Sequence, residues 1–115
     1  MRWFVKESKF ASDPFMKNEV GWGNGYILVD KTSPWWGKHY DEVDCRVHGG
    51  LTFGEEVSTD LLKHWSELSP QDVGMWCFGF DTAHYQDNPH VWPKSRVEEE
   101  TQNLFDQLTF KRIEI

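Results

Sequence analysis

The sequence predicts an α+β fold: one domain over residues 1–115, in which a mostly antiparallel sheet of four to six strands carries a C-terminal helix on one face. Three observations predict it. The chain is long enough to bury a core without metal or disulfide staples. Short apolar runs alternate with stretches rich in glycine and proline, which is typical of strands joined by turns. One amphipathic stretch near the C-terminus has the spacing of a helix.

The N-terminal part of the chain predicts two strands and a docked loop. Residues 1–10 alternate loosely in polarity before a proline breaks the pattern, so residues 1–20 are expected to form an edge strand or an arm. Tyr26 to Val29 follows a glycine-rich turn and favours a central strand. Trp35 and Trp36 predict a loop packed on the protein, because an exposed tryptophan pair is costly.

The middle of the chain predicts a hairpin, a helix and the most apolar strand. Asp44 to His48 alternates in polarity, and Leu51 to Phe53 resumes after two glycines, which fits two strands joined by a tight turn or one strand with a bulge. Apolar residues between Val57 and Leu68 recur at helical spacing. Gly74 to Phe80 is the most apolar run and predicts a second central strand.

The C-terminal part predicts a helix and a last strand. Ser95 and Glu98 have the spacing of a capping box, which predicts where the helix begins. It is expected to end near Leu108 and to bury the face formed by Val97, Thr101, Leu104, Phe105 and Leu108. Thr109 to Ile115 alternates and predicts an edge strand.

Charge and cysteine usage restrict the classes of function. Twelve basic and nineteen acidic residues give a net charge of -7, which opposes binding to duplex nucleic acid. A single nucleotide is still compatible, because a few backbone N–H groups and one arginine can hold a phosphate. Cys45 and Cys77 lie in apolar runs without zinc-site spacing and are expected to be buried thiols in a reducing compartment. The charged N-terminus resembles neither a signal peptide nor a membrane span, so we expect a cytoplasmic protein with no membrane partner.

Two polar, glycine-containing clusters are predicted to form the two halves of one site. They are residues 44–53 and residues 79–87, and each is attached to a strand-like run. Side chains at strand ends lie in loops, where binding residues concentrate. With the tryptophan loop, these clusters supply the candidate ligand-binding residues: His48, Gly49, Gly50, Thr52, Asp81, His84, Asp87, Trp35, Trp36 and Arg46.

Each half of this site has a structural alternative. The N–H groups of Gly49 and Gly50 could face a phosphate, or the two glycines could serve only a turn that His48 packs against. Asp81 and His84, with Asp87 three residues further on, could bind a divalent metal or orient an imidazole. Alternatively, Asp81 forms an Asx turn with the residues that follow it.

Three functions follow from these residues. The leading one is binding of a small, nucleotide-like ligand, because glycine N–H groups, Arg46 and aromatic faces suit a phosphate and a base. The second is a metal-assisted or acid–base hydrolase, in which His48 and His84 act as metal ligands or as general acid and base and Asp81 orients an imidazole. If a metal binds, its expected ligands are His48, Asp81, His84 and Asp87. The third is an inhibitor that docks on a basic protein surface through residues 98–100 and exposed aromatic rings, and self-association is a further possibility.

The same motifs carry a family resemblance. The chain resembles a family of short, uncharacterised phage and bacterial proteins over about Gly21 to Leu108, and residues 57–68 depart from it. The resemblance implies an origin and a site, and no reaction. For a phage protein it implies action in the host cytoplasm, on a host protein or by sequestering a host signalling nucleotide. The matching segments are Gly25-Tyr26, Gly37 to Asp41, Val47 to Phe53, Gly79 to His84, Asp87, Trp92-Pro93 and Val97 to Thr101.

Overall fold

A computed structural model describes residues 1–110 and confirms the α+β fold. Four strands form one antiparallel sheet in the order β1-β2-β4-β3, and a long C-terminal helix packs on it. The strands are β1 (Arg2–Glu7), β2 (Gly23–Val29), β3 (Phe53–Glu56) and β4 (Trp76–Phe80), and the helices are α1 (Thr59–His64) and α2 (Lys94–Phe110). Short 3-10 turns occupy Tyr40–Glu42 and Pro70–Asp72.

Helix α2 covers one face of the sheet through the apolar side that its spacing predicts. Four of the five predicted residues are buried, and Phe105 is partly buried beside them. The helix approaches β2 closely at Gly25, where a Cβ atom would collide with the hydroxyl of Thr101 and the ring of Phe80. A glycine at this position therefore sets the distance between helix and sheet.

The opposite face of the sheet is covered by the segment between β3 and β4, which includes α1. Tyr26, Leu28 and Cys77 point to this side and pack in one cluster with Val57 and Trp65. Since both faces are covered, the central strands β2 and β4 are apolar along most of their length, as predicted. Burial raises the pKa of the Cys77 thiol, which favours the inert protonated form.

The predicted strand at residues 44–48 is wrong, although its backbone is held by regular hydrogen bonds. Gln107 of α2 accepts a hydrogen bond from the Arg46 N–H at 2.8 Å and donates one to the Arg46 carbonyl at 2.7 Å. The backbone N–H of His48 donates to Glu100 Oε2 at 2.8 Å. Side chains of a helix thus take the place of a neighbouring strand, while Val47 still packs against the core.

Several element boundaries also differ from the prediction. Helix α2 begins at Lys94, so Ser95 lies inside its first turn and does not cap it. Thr109 and Phe110 belong to α2, so the predicted last strand does not begin there, and residues 111–115 lie outside the described residues. The helix expected between Val57 and Leu68 is limited to α1, whose first turn is capped by the side chain of Ser58.

The first strand is an edge strand of the sheet. β1 pairs with β2 over its whole length, from the Arg2 and Leu28 pair to the Glu7 and Gly23 pair.

Among residues 1–110, no helix is both long and apolar enough to cross a membrane.

Candidate functional site

The two predicted halves of the site meet at Asp87. The turn that contains His48 lies against the loop that follows β4, near the first turns of α2. His48 Nε2 lies 3.0 Å from both carboxylate oxygens of Asp87, and His84 Nδ1 lies 3.0 Å from Asp87 Oδ2. We call His48, His84 and Asp87 the His–Asp cluster.

Asp87 is an ionised carboxylate in a nearly closed environment, with its side chain 6% exposed. Burial by itself raises its pKa, but hydrogen bonds from His48 and from the backbone and ring of His84 outweigh burial and lower the pKa below the usual range. A carboxylate only accepts hydrogen bonds, so His48 Nε2 and His84 Nδ1 carry the donated protons. The cluster therefore fixes which nitrogen of each imidazole is protonated.

Asp81 connects the cluster to the end of the sheet. Its Oδ1 accepts a hydrogen bond from the Ala83 N–H at 3.0 Å, which is the Asx turn that the structural alternative predicts. Its Oδ2 accepts from the Thr52 hydroxyl at 3.0 Å. Asp81 Oδ1 also lies 3.5 Å from His84 Nε2, the ring nitrogen that does not face Asp87. Asp81 therefore both shapes the loop and approaches the outer side of His84.

The two glycines after His48 have different roles. Both are in the left-handed region, with φ of +70° at Gly49 and +78° at Gly50, and the Gly50 N–H closes the turn on the Val47 carbonyl at 2.9 Å. A Cβ atom at Gly49 would collide with the ring of His84, whereas one at Gly50 would point into open space. Gly49 thus allows the turn to approach the second histidine.

A cleft of about 410 Å³ opens beside His48. The His48 ring centroid lies 4.2 Å from that of Trp92, and the Arg96 guanidinium carbon lies 4.1 Å from the Trp92 centroid. Trp92 is buried, so its ring forms the wall of the cleft and supports the two polar groups. The cleft is lined by His48, Trp92, Arg96, Glu99 and Glu100.

Arg96, Glu99 and Glu100 were absent from the site predicted from sequence. The signal that could have found them is their spacing on α2. Glu99 and Glu100 follow Arg96 by three and four residues, which places all three on one side of a helix.

Three of the predicted site residues do not join the cluster. Trp35 donates through Nε1 to the Leu108 carbonyl at 3.2 Å, near the far end of α2. Trp36 donates to the Gly74 carbonyl at 2.9 Å, next to the start of β4, whereas Asp81 follows the end of that strand. Arg46 is held through its backbone by Gln107, as described above. The tryptophan loop is therefore docked, as predicted, but it lies away from His48 and Asp87.

Comparison of the chain with protein-family models, with curated proteins and with solved structures found no match. The resemblance to phage and bacterial proteins therefore stays a prediction, and the function is argued from the geometry of the site.

Proposed function

We propose that this protein binds a small, nucleotide-like ligand in the cleft beside the His–Asp cluster. The observation that carries the proposal is the lining of the cleft, where one guanidinium, one imidazole and two carboxylates surround a space of about 410 Å³. That volume is within the usual range of small-molecule pockets.

The charges of the lining suit a ligand with both an anionic group and hydrogen-bond donors. Arg96 is the natural partner of a phosphate. Its Nη1 donates a hydrogen bond to the Val91 carbonyl, and the other N–H groups of the guanidinium are suited to bind phosphate oxygens. The imidazole of His48 adjoins it. Glu99 and Glu100 accept hydrogen bonds from ribose hydroxyls or base amino groups. The two carboxylates also repel a bare phosphate, so a nucleotide is expected to bind more tightly than inorganic phosphate.

A second candidate function, acid–base hydrolysis, is favoured by the position of Asp87. A buried carboxylate that holds two imidazoles orients the remaining nitrogen of each ring for proton transfer. Binding without turnover would make the protein a nucleotide-sequestering protein, and turnover would make it a hydrolase. Docking on a host protein stays a prediction, and one residue expected to take part in it, Glu100, accepts a hydrogen bond from the His48 backbone.

The test is isothermal titration of the protein with nucleoside monophosphates, the matching nucleosides and inorganic phosphate. Arg96→Gln is expected to weaken nucleotide binding at least tenfold, because it removes the charge that faces the phosphate. Arg46→Gln is the matched control, since this arginine is also exposed and lies two residues from His48. Equal effects of the two substitutions, or no nucleotide binding by the wild-type protein, would contradict the proposal.

Two further measurements separate the outcomes. Circular dichroism checks that Arg96→Gln folds, because this change also removes the contact between the guanidinium and Trp92. Chromatography of the nucleotide after prolonged incubation distinguishes sequestration, in which it stays intact, from hydrolysis. Hydrolysis by the protein should be lost in His48→Gln, because His48 is the imidazole that lines the cleft.

A further inference from the structure

We infer that the His–Asp cluster binds one divalent transition-metal ion, with His48, His84 and Asp87 as its protein ligands. One donor atom from each residue lies within 4.8 Å of the other two. This inference is independent of the nucleotide proposal, since it requires neither Arg96 nor the cleft.

The donor set indicates which ions the site would take. Two imidazoles and one carboxylate suit Zn²⁺ and the neighbouring first-row divalent ions, whereas Mg²⁺ and Ca²⁺ prefer oxygen ligands alone. Three protein ligands leave one position of a tetrahedral ion for water or a substrate atom. The histidine side chains are 26% and 36% exposed, so solvent reaches the site, while Asp87 anchors it from inside.

Two of the three ligand–ligand distances are close to those of a filled site. With metal–ligand bonds of about 2.0–2.1 Å, tetrahedral ligand atoms lie roughly 3.3 Å apart. His48 Nε2 and His84 Nδ1 each lie 3.0 Å from the Asp87 carboxylate. These two distances need to open by only a few tenths of an ångström, while the two imidazole nitrogens lie within 4.8 Å of each other.

Metal binding requires a change of tautomer in both rings, and for His84 the structure places a carboxylate near the nitrogen that gains the proton. The nitrogens that donate to Asp87 must lose their protons to the other nitrogen of each ring, because a metal binds the lone pair. For His84 that other nitrogen is Nε2, which lies 3.5 Å from Asp81 Oδ1. Asp81 is itself held by the Thr52 hydroxyl. A carboxylate behind a ligating histidine is the usual outer partner of metal sites, so Asp81 is a positioning residue and not a fourth ligand.

The ligands are also held in place by their surroundings. The His48 ring packs on Trp92, and its backbone N–H is fixed by Glu100. Gly49 brings the turn against His84, as described above. The ligands therefore come from two chain segments that the fold has already joined, which lowers the entropy cost of assembling the site.

The test is titration of the full chain with Zn²⁺ by calorimetry, and with Co²⁺ by visible absorption, in the absence of nucleotide. We expect one ion per chain and a tetrahedral Co²⁺ spectrum. His48→Gln, His84→Gln and Asp87→Asn should each weaken Zn²⁺ binding at least 100-fold. Asp81→Asn should weaken it about tenfold, through loss of the partner behind His84.

The matched control is His90→Gln, an exposed histidine in the same loop whose backbone is held by Asn88. It should leave Zn²⁺ affinity unchanged. The inference is overturned if wild type binds Zn²⁺ no more tightly than Asp87→Asn, or if His90→Gln costs as much as the cluster variants. Should those variants fail to fold, long-range ¹H–¹⁵N spectra of wild type decide the matter. Zn²⁺ must move the protons of both cluster imidazoles, and unchanged tautomers would refute the site.

Discussion

Two buried carboxylates, Asp72 and Asp87, have nearly the same environment and differ in their partners. Their side chains are 5% and 6% exposed. For both, burial raises the pKa but hydrogen bonds outweigh it and lower the pKa below its usual range. Asp72 Oδ2 accepts from Arg2 Nη2 at 2.7 Å and from the backbone and hydroxyl of Ser69 at 2.8 and 3.1 Å. Asp87 accepts from two imidazoles instead.

The difference shows that partner chemistry, and not burial or pKa, distinguishes a candidate functional carboxylate from a structural one. A guanidinium is permanently charged and has no lone pair to offer a metal. Arg2 also donates to the Glu67 carbonyl, so its contacts fasten β1 to the segment before β4. An imidazole can exchange its proton for a metal ion or pass it to a ligand. Asp72 is therefore a structural residue, and Asp87 is the centre of the candidate site.

The largest effect expected from this comparison is on stability. Asp72→Ala and Asp87→Ala should each lower the free energy of unfolding by about 2 kcal/mol without metal, because each removes several hydrogen bonds to a buried carboxylate and the partly exposed donors regain only some of them from water. Urea unfolding measures this. Saturating Zn²⁺ should then stabilise wild type and Asp72→Ala but not Asp87→Ala. If Zn²⁺ stabilised Asp72→Ala and Asp87→Ala equally, the distinction between Asp72 as a structural residue and Asp87 as the centre of the candidate site would be contradicted.

A smaller effect is expected at the two glycines beside His48. Gly49→Ala should cost about 2 kcal/mol, since it combines a left-handed backbone with a collision against His84. Gly50→Ala has the same backbone strain without the collision, so about 1 kcal/mol is expected. Thermal unfolding measures both. If the two substitutions lowered the free energy of unfolding equally, the absence of a Cβ atom at Gly49 would not be what allows the turn to approach His84.

The smallest expected difference is in acid. For both carboxylates the folded-state pKa is lowered, so the unfolded chain binds more protons as the pH falls below about 4. Their contribution to stability is complete well above that pH and is lost as the pH drops through the folded-state pKa. Asp72→Asn and Asp87→Asn should therefore each flatten the dependence of stability on pH as the pH falls below about 4. A slope unchanged in Asp87→Asn would contradict the lowered pKa.

The sequence was sufficient for most of the fold because local patterns there agreed with the tertiary structure. Tyr26 to Val29 and the run before Asp81 were predicted as central strands, and both are buried on two sides. The apolar face of α2 was predicted residue by residue. The prediction of a strand at residues 44–48 was wrong. Alternation of polarity indicates an extended backbone with one buried side, but it does not indicate which group the backbone forms hydrogen bonds with. Here the partner is the side chain of Gln107, 61 residues away.

For the site, the sequence by itself determined which chemical groups are present. It identified His48, Asp81, His84 and Asp87 from two loops, because imidazole and carboxylate groups beside glycines at strand ends are informative without coordinates. It could not show that His48 and His84 share one carboxylate, since 39 residues separate His48 from Asp87. It also placed Trp35 and Trp36 in the cleft, because aromatic residues suit cores and ligands equally.

Only the tertiary structure decided these points, and the physical reason is the same in each case. Chain folding sets distances between residues remote in sequence, and a difference of a few ångströms separates a hydrogen bond from no interaction. It places Asp81 behind His84, Arg96 over Trp92 and the tryptophan loop at the far end of β4. Residue types determine which chemistry is available to this protein, and packing determines which of those residues can act together.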